Sequence, residues 1–455
     1  MKNIWLKAIA PFAITLPSIA FAQPVHDPAV LRDAALQDRI AWDIVEGLTT
    51  EVGPRLAGTE AEARARQWAV AKLKAMGFSN VRIEEYPMPV WVRGEETASV
   101  IAPFPQKLVL TALGNSASTG EQGLEAEIVY FPALEALKAA SDGSLKGKIA
   151  FVDHAMKRTQ DGSSYGTFGL ARFSGPNIAA KKGAAAILIR SIGTDSHRNP
   201  HTGVTDFEKG VAPIPAAALS NPDADNLVRM VKHGQPVHVR LKLTPRLLES
   251  GTSGNVIAEV PGSDPSAGVI VVAGHLDSWD LGTGAVDDGA GVAIVAAAAK
   301  RIMDAGPPRR TIRVLWAGAE EVGAYGGEAY LKAHGQEKHA LAMESDFGAD
   351  RIWRIDFKLP RAASRLMDDL AAALGPLGIG RGKGEAHGGA DIEPLIKKGT
   401  SVIDLKQDGT RYFDLHHTPD DTLDKVDPAQ LAQNVAAWTA VLAITANAPA
   451  KLGNE

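Results

Sequence analysis

The chain has 455 residues, of which 45% are hydrophobic and 22% charged, the composition of an ordinary soluble globular protein with a sizeable core. It contains no cysteine, so disulfides, thiolate metal sites and cysteine nucleophiles are excluded, and any metal must be held by His, Asp and Glu. The net charge of −5 gives no electrostatic basis for binding nucleic acid or an anionic membrane surface.

The first 22 residues have the pattern of a secretory signal peptide. Lys2 and Lys7 supply positive charge, an apolar run covers residues 8–19, and Ala20-Phe21-Ala22 fits the small-x-small cleavage pattern. A transmembrane anchor is the alternative, but the apolar run is shorter than the roughly 20 residues that a span needs. We therefore expect export to the periplasm or the medium, with no membrane span in the mature chain.

After this segment the sequence alternates between helical and extended patterns. Helical apolar spacing covers residues 27–51 and 59–76, and Gly77 is a residue type that ends helices. Residues 81–86 alternate as a strand does, and further extended segments run to about residue 113. We assign residues 23–115 to the first part of an α/β domain.

The composition changes near residue 114 and stays different to about residue 245. Glycine-rich loops separate short strands and helices here, and the block of about 130 residues is large enough to be a domain of its own. The predicted strands are 126–131, 148–152 and 184–190, and the predicted helices are 178–182 and 222–233. We predict that residues 116–245 form a smaller, β-rich inserted domain.

From residue 254 onward strands alternate with helices, which predicts βαβ units and a parallel sheet. The predicted strands are 255–260, 269–273, 311–316 and 339–344, and the predicted helices are 290–303, 327–334 and 428–445. The predicted fold class is α/β, with a mostly parallel central sheet flanked by helices. Residues 246–455 form its second part, after the insertion.

Candidate chemistry begins where the strand at 269–273 ends. His275 and Asp277 follow it, at the edge where open α/β sheets bind their ligands. Imidazole is a good zinc ligand, and Asp277 could accept a hydrogen bond from its second ring nitrogen. Asp287-Asp288 follow at a turn, where a carboxylate could bridge two metals. The alternative interpretations are a structural histidine and an ordinary turn with a helix N-cap.

More carboxylates and imidazoles follow later strands. Glu320 and Glu321 could bind a metal and transfer a proton, although adjacent acids are often solvated charges at the start of a helix. Asp346 follows another strand, and His416 and His417 lie beside a turn. Each signal is weak by itself, but together they offer five ligands for two metals and leave one carboxylate over.

This order of residues resembles the zinc-dependent exopeptidases of peptidase family M28. The motifs that carry the resemblance are Gly53–Thr59, His275-Leu276-Asp277, Asp287-Asp288-Gly289, Glu320-Glu321, Asp346 and His417-Thr418-Pro419-Asp420-Asp421-Thr422. The insertion is similar to a protease-associated domain. With Tyr412-Phe413, it makes the chain most similar to the plasma glutamate carboxypeptidase (carboxypeptidase Q) branch. The resemblance covers nearly the whole chain after the signal peptide.

The resemblance implies a dizinc enzyme whose nucleophile is a hydroxide that bridges the two Zn²⁺ ions. The implied roles are one zinc on His275 and Asp346, a second on Glu321 and His417, Asp287 as the bridge, Glu320 as general base and Asp277 orienting His275. His417 rather than His416 satisfies the motif His-(Ser/Thr)-x-x-(Asp/Glu)-Thr. Many relatives have a tyrosine where this chain has His416, so His416 becomes the candidate oxyanion stabiliser. A homodimer is implied by the resemblance alone.

The end of the peptide that is trimmed stays open. An aminopeptidase needs acidic groups for the substrate ammonium, such as Asp280 or Glu344, and a carboxypeptidase needs cations for the carboxylate, such as Arg411 or Lys383. We favour small peptides, dipeptides above all, as substrates. We also expect residues 384–391 to form a loop at the edge of the site, with an ordinary turn away from the site as the alternative.

Three other functions fit these residues less well. The complete ligand set disfavours a non-catalytic binding protein on the same fold, and it also disfavours a single-zinc enzyme of acyl transfer or cyclisation. Gly162–Gly166 matches the Gly-x-Ser-x-Gly pattern of serine hydrolases. Because this match does not follow a buried strand, we predict an ordinary loop rather than a nucleophile elbow.

Overall fold

A computed structural model of the protein describes residues 26–453. The predicted signal peptide at residues 1–22 lies outside the described residues. Within the described range, no helix combines the length and the apolar character that a membrane-spanning segment requires.

Two eight-stranded sheets organise the molecule. The strands are β1 Ser79–Val92, β2 Glu96–Ala102, β3 Gln106–Leu108, β4 Leu110–Ala112, β5 Leu124–Phe131, β6 Ile149–Val152, β7 Ala186–Arg190, β8 Ala216–Leu219, β9 His238–Leu243, β10 Arg246–Val260, β11 Val269–His275, β12 Thr311–Ala317, β13 His339–Glu344, β14 Ile352–Lys358, β15 Gly380–Arg381 and β16 Val402–Gln407. The helices are α1 Pro28–Ala35, α2 Ile40–Gly47, α3 Glu60–Ala75, α4 Leu134–Ala139, α5 Tyr165–Phe168, α6 Leu170–Phe173, α7 Gly175–Lys181, α8 Asn221–Lys232, α9 Ala290–Ala305, α10 Tyr325–His334, α11 Ser364–Leu374, α12 Glu393–Lys397, α13 Tyr412–Leu415 and α14 Pro428–Thr445.

The first sheet has the order β1-β10-β12-β11-β13-β16-β14-β15. Its four central strands, β12, β11, β13 and β16, run parallel, whereas β1, β10 and β14 pair antiparallel towards the edges. Successive residues of β11 are buried on opposite faces, with Ile270 and Val272 in one core and Val271 and Ala273 in another. Burial on both faces explains why the parallel strands read as continuous apolar runs.

Helices cover both faces of this sheet. The alanine-rich α9 is buried along nearly its whole length, because α14 packs over it on the side away from the sheet. On the opposite face, Tyr330 of α10 and Leu395 of α12 pack against the strands. The α/β fold with a parallel centre and flanking helices is therefore as predicted.

The second sheet has the order β3-β2-β9-β5-β6-β7-β8-β4. Its centre, from β5 to β8, is parallel, and α4, α7 and α8 pack against it. Strands β2, β3 and β4 lie before residue 116 in the sequence but pair within this sheet. The expected boundary at residue 116 therefore falls after the first three strands of the second sheet.

One predicted helix differs from the structure. The segment 27–51 forms α1, α2 and a π-helical turn at Leu48–Val52 instead of one continuous helix. The break occurs because the Asp38 carboxylate accepts the backbone N–H of Ile40 at 3.0 Å, which starts a new helix there. By contrast, α3 begins as expected, with the Thr59 hydroxyl accepting the N–H of Glu62.

Candidate metal centre

The predicted site residues come together at the carboxyl ends of the central parallel strands of the first sheet. His275 ends β11, Glu320 and Glu321 follow β12, and Asp346 follows β13. Parallel strands deliver these residues to the same edge because their carboxyl ends are neighbours there. The remaining predicted residues, Asp277, Asp287, His416 and His417, reach the same cluster from loops.

Asp287 lies between two imidazoles. Its Oδ1 is 3.1 Å from Nε2 of His275, and its Oδ2 is 3.3 Å from Nε2 of His417. Asp346 approaches the first imidazole, with Oδ1 3.5 Å from Nε2 of His275, and Glu321 approaches the second, with Oε2 2.9 Å from Nε2 of His417. Asp287 thus lies between two pairs of candidate ligands, His275 with Asp346 and Glu321 with His417.

Two further carboxylates hold the turn that carries Asp287. Asp288 accepts the backbone N–H groups of His275 and Gly291, each at 3.0 Å. Asp421 accepts the N–H of Val286 at 2.6 Å and that of Asp287 at 3.2 Å. Because both carboxylates bond backbone donors, they fix the loop rather than face the centre of the cluster.

Asp277 contacts its neighbours differently from the expectation. The backbone carbonyl of Asp277 accepts from Nδ1 of His275 at 3.0 Å, whereas its carboxylate is 3.8 Å from that nitrogen. The carboxylate instead accepts the backbone N–H of Glu320 at 3.1 Å. Asp277 therefore contacts both His275 and Glu320, through two different groups.

His416 and His417 are stacked, with ring centroids 3.5 Å apart. His417 adopts a left-handed backbone conformation with φ of 61°, and its Nδ1 donates to the carbonyl of Thr202 at 3.1 Å. Nε2 of His416 lies 3.7 Å from Oδ2 of Asp287, and its Nδ1 is buried without a hydrogen-bond partner. Because Nδ1 of His417 is bonded to Thr202, Nε2 of His417 is the ring nitrogen that faces the carboxylates of Asp287 and Glu321.

Burial dominates the electrostatics of this cluster. It raises the pKa of Asp277 to about 7 and that of Glu320 well above its usual range, and it lowers the pKa of His416 well below the usual value. Burial opposes protonation of His417 too, but Glu321 and Asp287 outweigh it and raise its pKa to about 9. The clustered carboxylates thus favour positive charge at their centre.

The donor set fits divalent metal ions. Potential ligand atoms lie within 4.8 Å of one another in three groups: Asp287, His416 and His417; His275, Glu320 and Asp346; and His275, Asp287 and Glu321. Oδ2 of Asp287 and Oε1 of Glu321 are buried and make no hydrogen bond. Imidazole and carboxylate ligands without thiolates suit zinc, and a bound cation would satisfy the unpaired oxygens.

A cleft of about 630 Å³ opens onto this cluster. One wall carries Asp287, Glu320 and other residues of the cluster, and Ala390 from the predicted loop at 384–391 also lines it. Residues of the inserted segment, including Tyr165 and Arg172, form the opposite wall. The cleft therefore lies between the first sheet and the insertion.

Arg172 was not anticipated from the sequence. Its side chain is 1% exposed, with Nη1 3.3 Å from the carbonyl of Thr202 and Nη2 donating to the hydroxyl of Tyr165, while Nε has no partner. No carboxylate among the described residues pairs with this guanidinium. The Gly162–Gly166 motif includes Tyr165, which contacts Arg172, but it predicted only an ordinary loop there.

The charged residues first considered for substrate binding are mostly engaged elsewhere. Asp280 pairs with Arg93 at 2.8 Å, Arg411 pairs with Asp350 at 2.7 Å, and Lys383 is exposed. These ion pairs remove Asp280 and Arg411 as free anchors for a substrate.

Glu344 differs from those three residues. Its Oε2 accepts the N–H of Ile392 at 3.0 Å, and its Oε1 is buried without a hydrogen-bond partner. Both carboxylate oxygens of the neighbouring Asp391 are also unpartnered. Glu344 and Asp391 therefore also keep unsatisfied carboxylate oxygens, as Asp287 and Glu321 do.

Comparison with known proteins identifies relatives over most of the chain. A model of peptidase family M28 matches residues 255–442. Carboxypeptidase Q of Bos taurus is 35% identical over 404 residues, which are 88% of this chain and 84% of that protein. The Peptidase M28 precursor from Shewanella amazonensis SB2B has a TM-score of 0.91 and 49% identity, covering 93% of this chain and 97% of its own. A zinc aminopeptidase from Bacillus subtilis, 20% identical with a TM-score of 0.67, shares the fold over 92% of this chain and 98% of its own.

Proposed function

Because this chain belongs to peptidase family M28 and is a metallopeptidase, we propose that it is a zinc-dependent exopeptidase of dipeptides and short peptides. The observation that carries the proposal is the position of Asp287, whose two oxygens lie 3.1 and 3.3 Å from the imidazoles of His275 and His417. A carboxylate between two ligand sets is what a two-metal site requires. The signal peptide pattern at residues 1–22 supports action after export, in the periplasm or the medium.

In this proposal the chain holds two Zn²⁺ ions. His275 and Asp346 would hold one, Glu321 and His417 the other, and Asp287 both. Zinc bound in such a pair activates a water molecule near neutral pH and polarises the scissile carbonyl.

Glu320 is the proposed general base. It lines the cleft, and its backbone N–H donates to the Asp277 carboxylate at 3.1 Å. Its carboxylate would take the proton from the attacking water and deliver it to the leaving amine. Asp277 would act as a positioning residue, through Glu320 and through His275.

His416 is the proposed stabiliser of the oxyanion. It lines the cleft beside His417, and burial keeps its pKa well below the usual value, so the ring is neutral near pH 7. A neutral imidazole keeps one N–H, which can donate to the oxygen that becomes negative during attack.

Arg172 supports action on peptides with a free carboxylate. It is a buried guanidinium in the wall of the cleft, with an unpartnered Nε and no carboxylate partner in the described part of the chain. A buried cation without a counter-ion is costly, and a substrate carboxylate would satisfy it with a charge-assisted hydrogen bond. We therefore propose carboxypeptidase or dipeptidase action, similar to that named for the carboxypeptidase Q relatives.

Aminopeptidase action is the second candidate. Oε1 of Glu344 is buried without a partner, and Glu344 and Asp346 line a small pocket that adjoins the cleft. An unpaired carboxylate in this position would suit a substrate ammonium group.

Dipeptides blocked at one end test the proposal. Protein loaded with zinc should hydrolyse free and N-acylated dipeptides but not C-amidated ones, and protein stripped with a chelator should hydrolyse none. Arg172→Gln should raise KM at least tenfold for free-carboxylate substrates, whereas Arg229→Gln, an exposed control in the insertion, should not.

Each result has a defined meaning. Zinc-loaded protein that hydrolyses no peptide would refute the exopeptidase proposal. Hydrolysis of C-amidated but not N-acylated dipeptides would identify an aminopeptidase and refute the role of Arg172. Hydrolysis only of dipeptides with both ends free would define a strict dipeptidase.

A further inference from the structure

The inserted segment holds the backbone that carries His416 and His417. The N–H of Thr202 donates to the carbonyl of His417 at 3.0 Å, and Nδ1 of His417 donates back to the carbonyl of Thr202 at 3.1 Å. Beside this pair, Nδ1 of His201 donates to the carbonyl of His416 at 2.7 Å. Three hydrogen bonds thus join two adjacent residues of the insertion to two adjacent residues of the metal centre.

The backbone at His417 needs such support. Its φ of 61° lies in the left-handed region, which is sterically unfavourable for a residue that has a Cβ. The contacts that oppose this cost include groups about 215 positions away in the sequence. The conformation of His417 therefore depends on the insertion as well as on its own loop.

His201 is itself held rigidly. Its Nε2 lies 2.7 Å from Oδ1 of Asp195, and both side chains are almost completely buried, at 0% and 1% exposure. Asp195 also accepts the N–H of His197 at 2.8 Å and an amide N–H of Asn221 at 3.1 Å. Both ring nitrogens of His201 therefore face acceptor oxygens, which fix the orientation of the ring.

Gly193 leaves space for the ring of His201 because it has no side chain. A Cβ at Gly193 would lie 2.2 Å from Nε2 of His201, closer than any side chain could tolerate. Gly193 thus allows the ring to sit between Asp195 and the carbonyl of His416. These contacts form a continuous chain: Asp195, His201, and the peptide that joins His416 to His417.

We propose that His201, oriented by Asp195, is a positioning residue for the metal centre. Its hydrogen bond to the carbonyl of His416 fixes the His416–His417 peptide, so that Nε2 of His417 faces Asp287 and Glu321. The inference rests on the proposed role of His417 as a metal ligand. A residue that holds the backbone of a metal ligand is expected to tune metal affinity, as outer contacts of metal ligands do by 10- to 100-fold. The effect should be confined to the zinc ion held by His417 and Glu321.

Two amide substitutions of the same residue separate the two ring nitrogens. In His201→Asn the side-chain amide occupies about the position of Nδ1 and can still donate to the carbonyl of His416. In His201→Gln the amide occupies about the position of Nε2, reaches Asp195, and leaves that carbonyl without its donor. Both variants are polar, and each keeps one of the two hydrogen bonds of His201, so the pair separates the contact of Nδ1 with His416 from the contact of Nε2 with Asp195.

Zinc affinity is the readout, measured by titrating each purified, metal-free variant with zinc against a chromophoric chelator. We expect His201→Gln to weaken one of the two zinc affinities 10- to 100-fold relative to wild type, with the other unchanged, and His201→Asn to stay within about threefold at both sites. His233→Asn is the matched control, because His233 is exposed on the same inserted domain. Thermal unfolding of the metal-free variants checks that all are folded.

The outcomes distinguish this inference from the proposed function. If His417→Ala leaves both zinc affinities unchanged, the metal-site assignment itself is wrong. If His417→Ala weakens one site but His201→Gln binds zinc as wild type does, the assignment stands and the positioning role is refuted. Equal losses in His201→Gln and His201→Asn would also refute it, since the Nδ1 donor would then not matter.

Discussion

The buried carboxylates of the candidate metal centre have different hydrogen-bond partners, and this difference indicates that they have different roles. Asp288 and Asp421 accept backbone N–H groups of the turn that carries Asp287 and of its neighbours, so these hydrogen bonds stabilise the turn. Asp287 and Glu321 each keep a buried oxygen that makes no hydrogen bond. Unsatisfied buried oxygens are costly unless a cation or donor approaches them, which is why these two are the stronger metal-ligand candidates.

Substitution of Glu320 separates metal binding from proton transfer. Glu320→Gln should retain both zinc ions and lose turnover by roughly 10²- to 10⁴-fold, because the amide cannot take a proton from water. His417→Ala should lose zinc affinity as well as activity. Zinc content by elemental analysis and kcat on a dipeptide check both, with Glu328→Gln, an exposed glutamate of α10, as the control. Near-wild-type kcat in Glu320→Gln would show that another group is the base.

At the scale of the elements, the central parallel strands position the candidate site residues, and the start of α9 packs closely against the strand ends. β11, β12 and β13 each end at a candidate residue or just before one, and the turn after β11 leads directly into α9. The Cβ of an alanine at Gly291 would lie 1.9 Å from the carbonyl of Ser345. The start of α9 can therefore approach the end of β13 because glycine occupies that position.

A second cluster, formed by Arg313 of β12, His339 of β13 and Tyr330 of α10, makes the free energy of unfolding depend on pH. Burial, with the nearby charge of Arg313, lowers the pKa of His339 to about 4, and its Nε2 accepts from the hydroxyl of Tyr330 at 3.1 Å. Arg313 donates to the same hydroxyl at 3.0 Å. His339 is neutral in the folded protein above about pH 4, whereas its pKa in the unfolded chain is near 6.5. The free energy of unfolding therefore falls as the pH drops from 6.5 towards 4, because the unfolded chain binds a proton that the folded protein does not.

His339→Gln removes this titration and keeps an acceptor for Tyr330. Between pH 7 and pH 4.5 the wild type should therefore lose about 2 kcal/mol more unfolding free energy than the variant. Urea denaturation at the two pH values, in buffer with a chelator so that zinc does not contribute, measures the difference. Equal losses in the two proteins would show that His339 does not titrate in this range.

On the scale of the whole molecule, the cleft is shared by two sheets. The first sheet supplies the candidate metal ligands, and the insertion supplies Arg172, Tyr165 and the residues that hold His417. Arg158 of the insertion also pairs with Asp414, at 2.7 Å, just before the two histidines. The insertion is therefore part of the candidate site and not an appendage to it.

Metal should stabilise the whole protein, since binding to the folded state alone adds stability. At a free zinc concentration of 1,000 times Kd the gain is about 4 kcal/mol for each independent site. Adding a chelator should lower Tm, and adding zinc back should restore it. A reducing agent should leave Tm unchanged because the chain has no cysteine. A Tm that does not respond to the chelator would contradict zinc binding by the folded protein.

The sequence by itself determined which chemical groups are available and in what order. With no cysteine, metal ligands had to be His, Asp or Glu, and those residues follow buried strands whose apolar runs are visible locally. Strand identity in the centre of the first sheet was predictable because burial on both faces leaves a continuous apolar pattern. The α/β class followed from the alternation of such strands with helices.

The tertiary structure decided what depends on contacts between distant parts of the chain. β2, β3 and β4 join the second sheet, although they directly follow β1 of the first. Arg172 and His201 reach residues 416 and 417, over 200 positions away, and a carbonyl of Asp277 rather than its carboxylate meets His275. No local pattern encodes these contacts, because pairing and hydrogen bonding between distant segments depend on how the two sheets pack together.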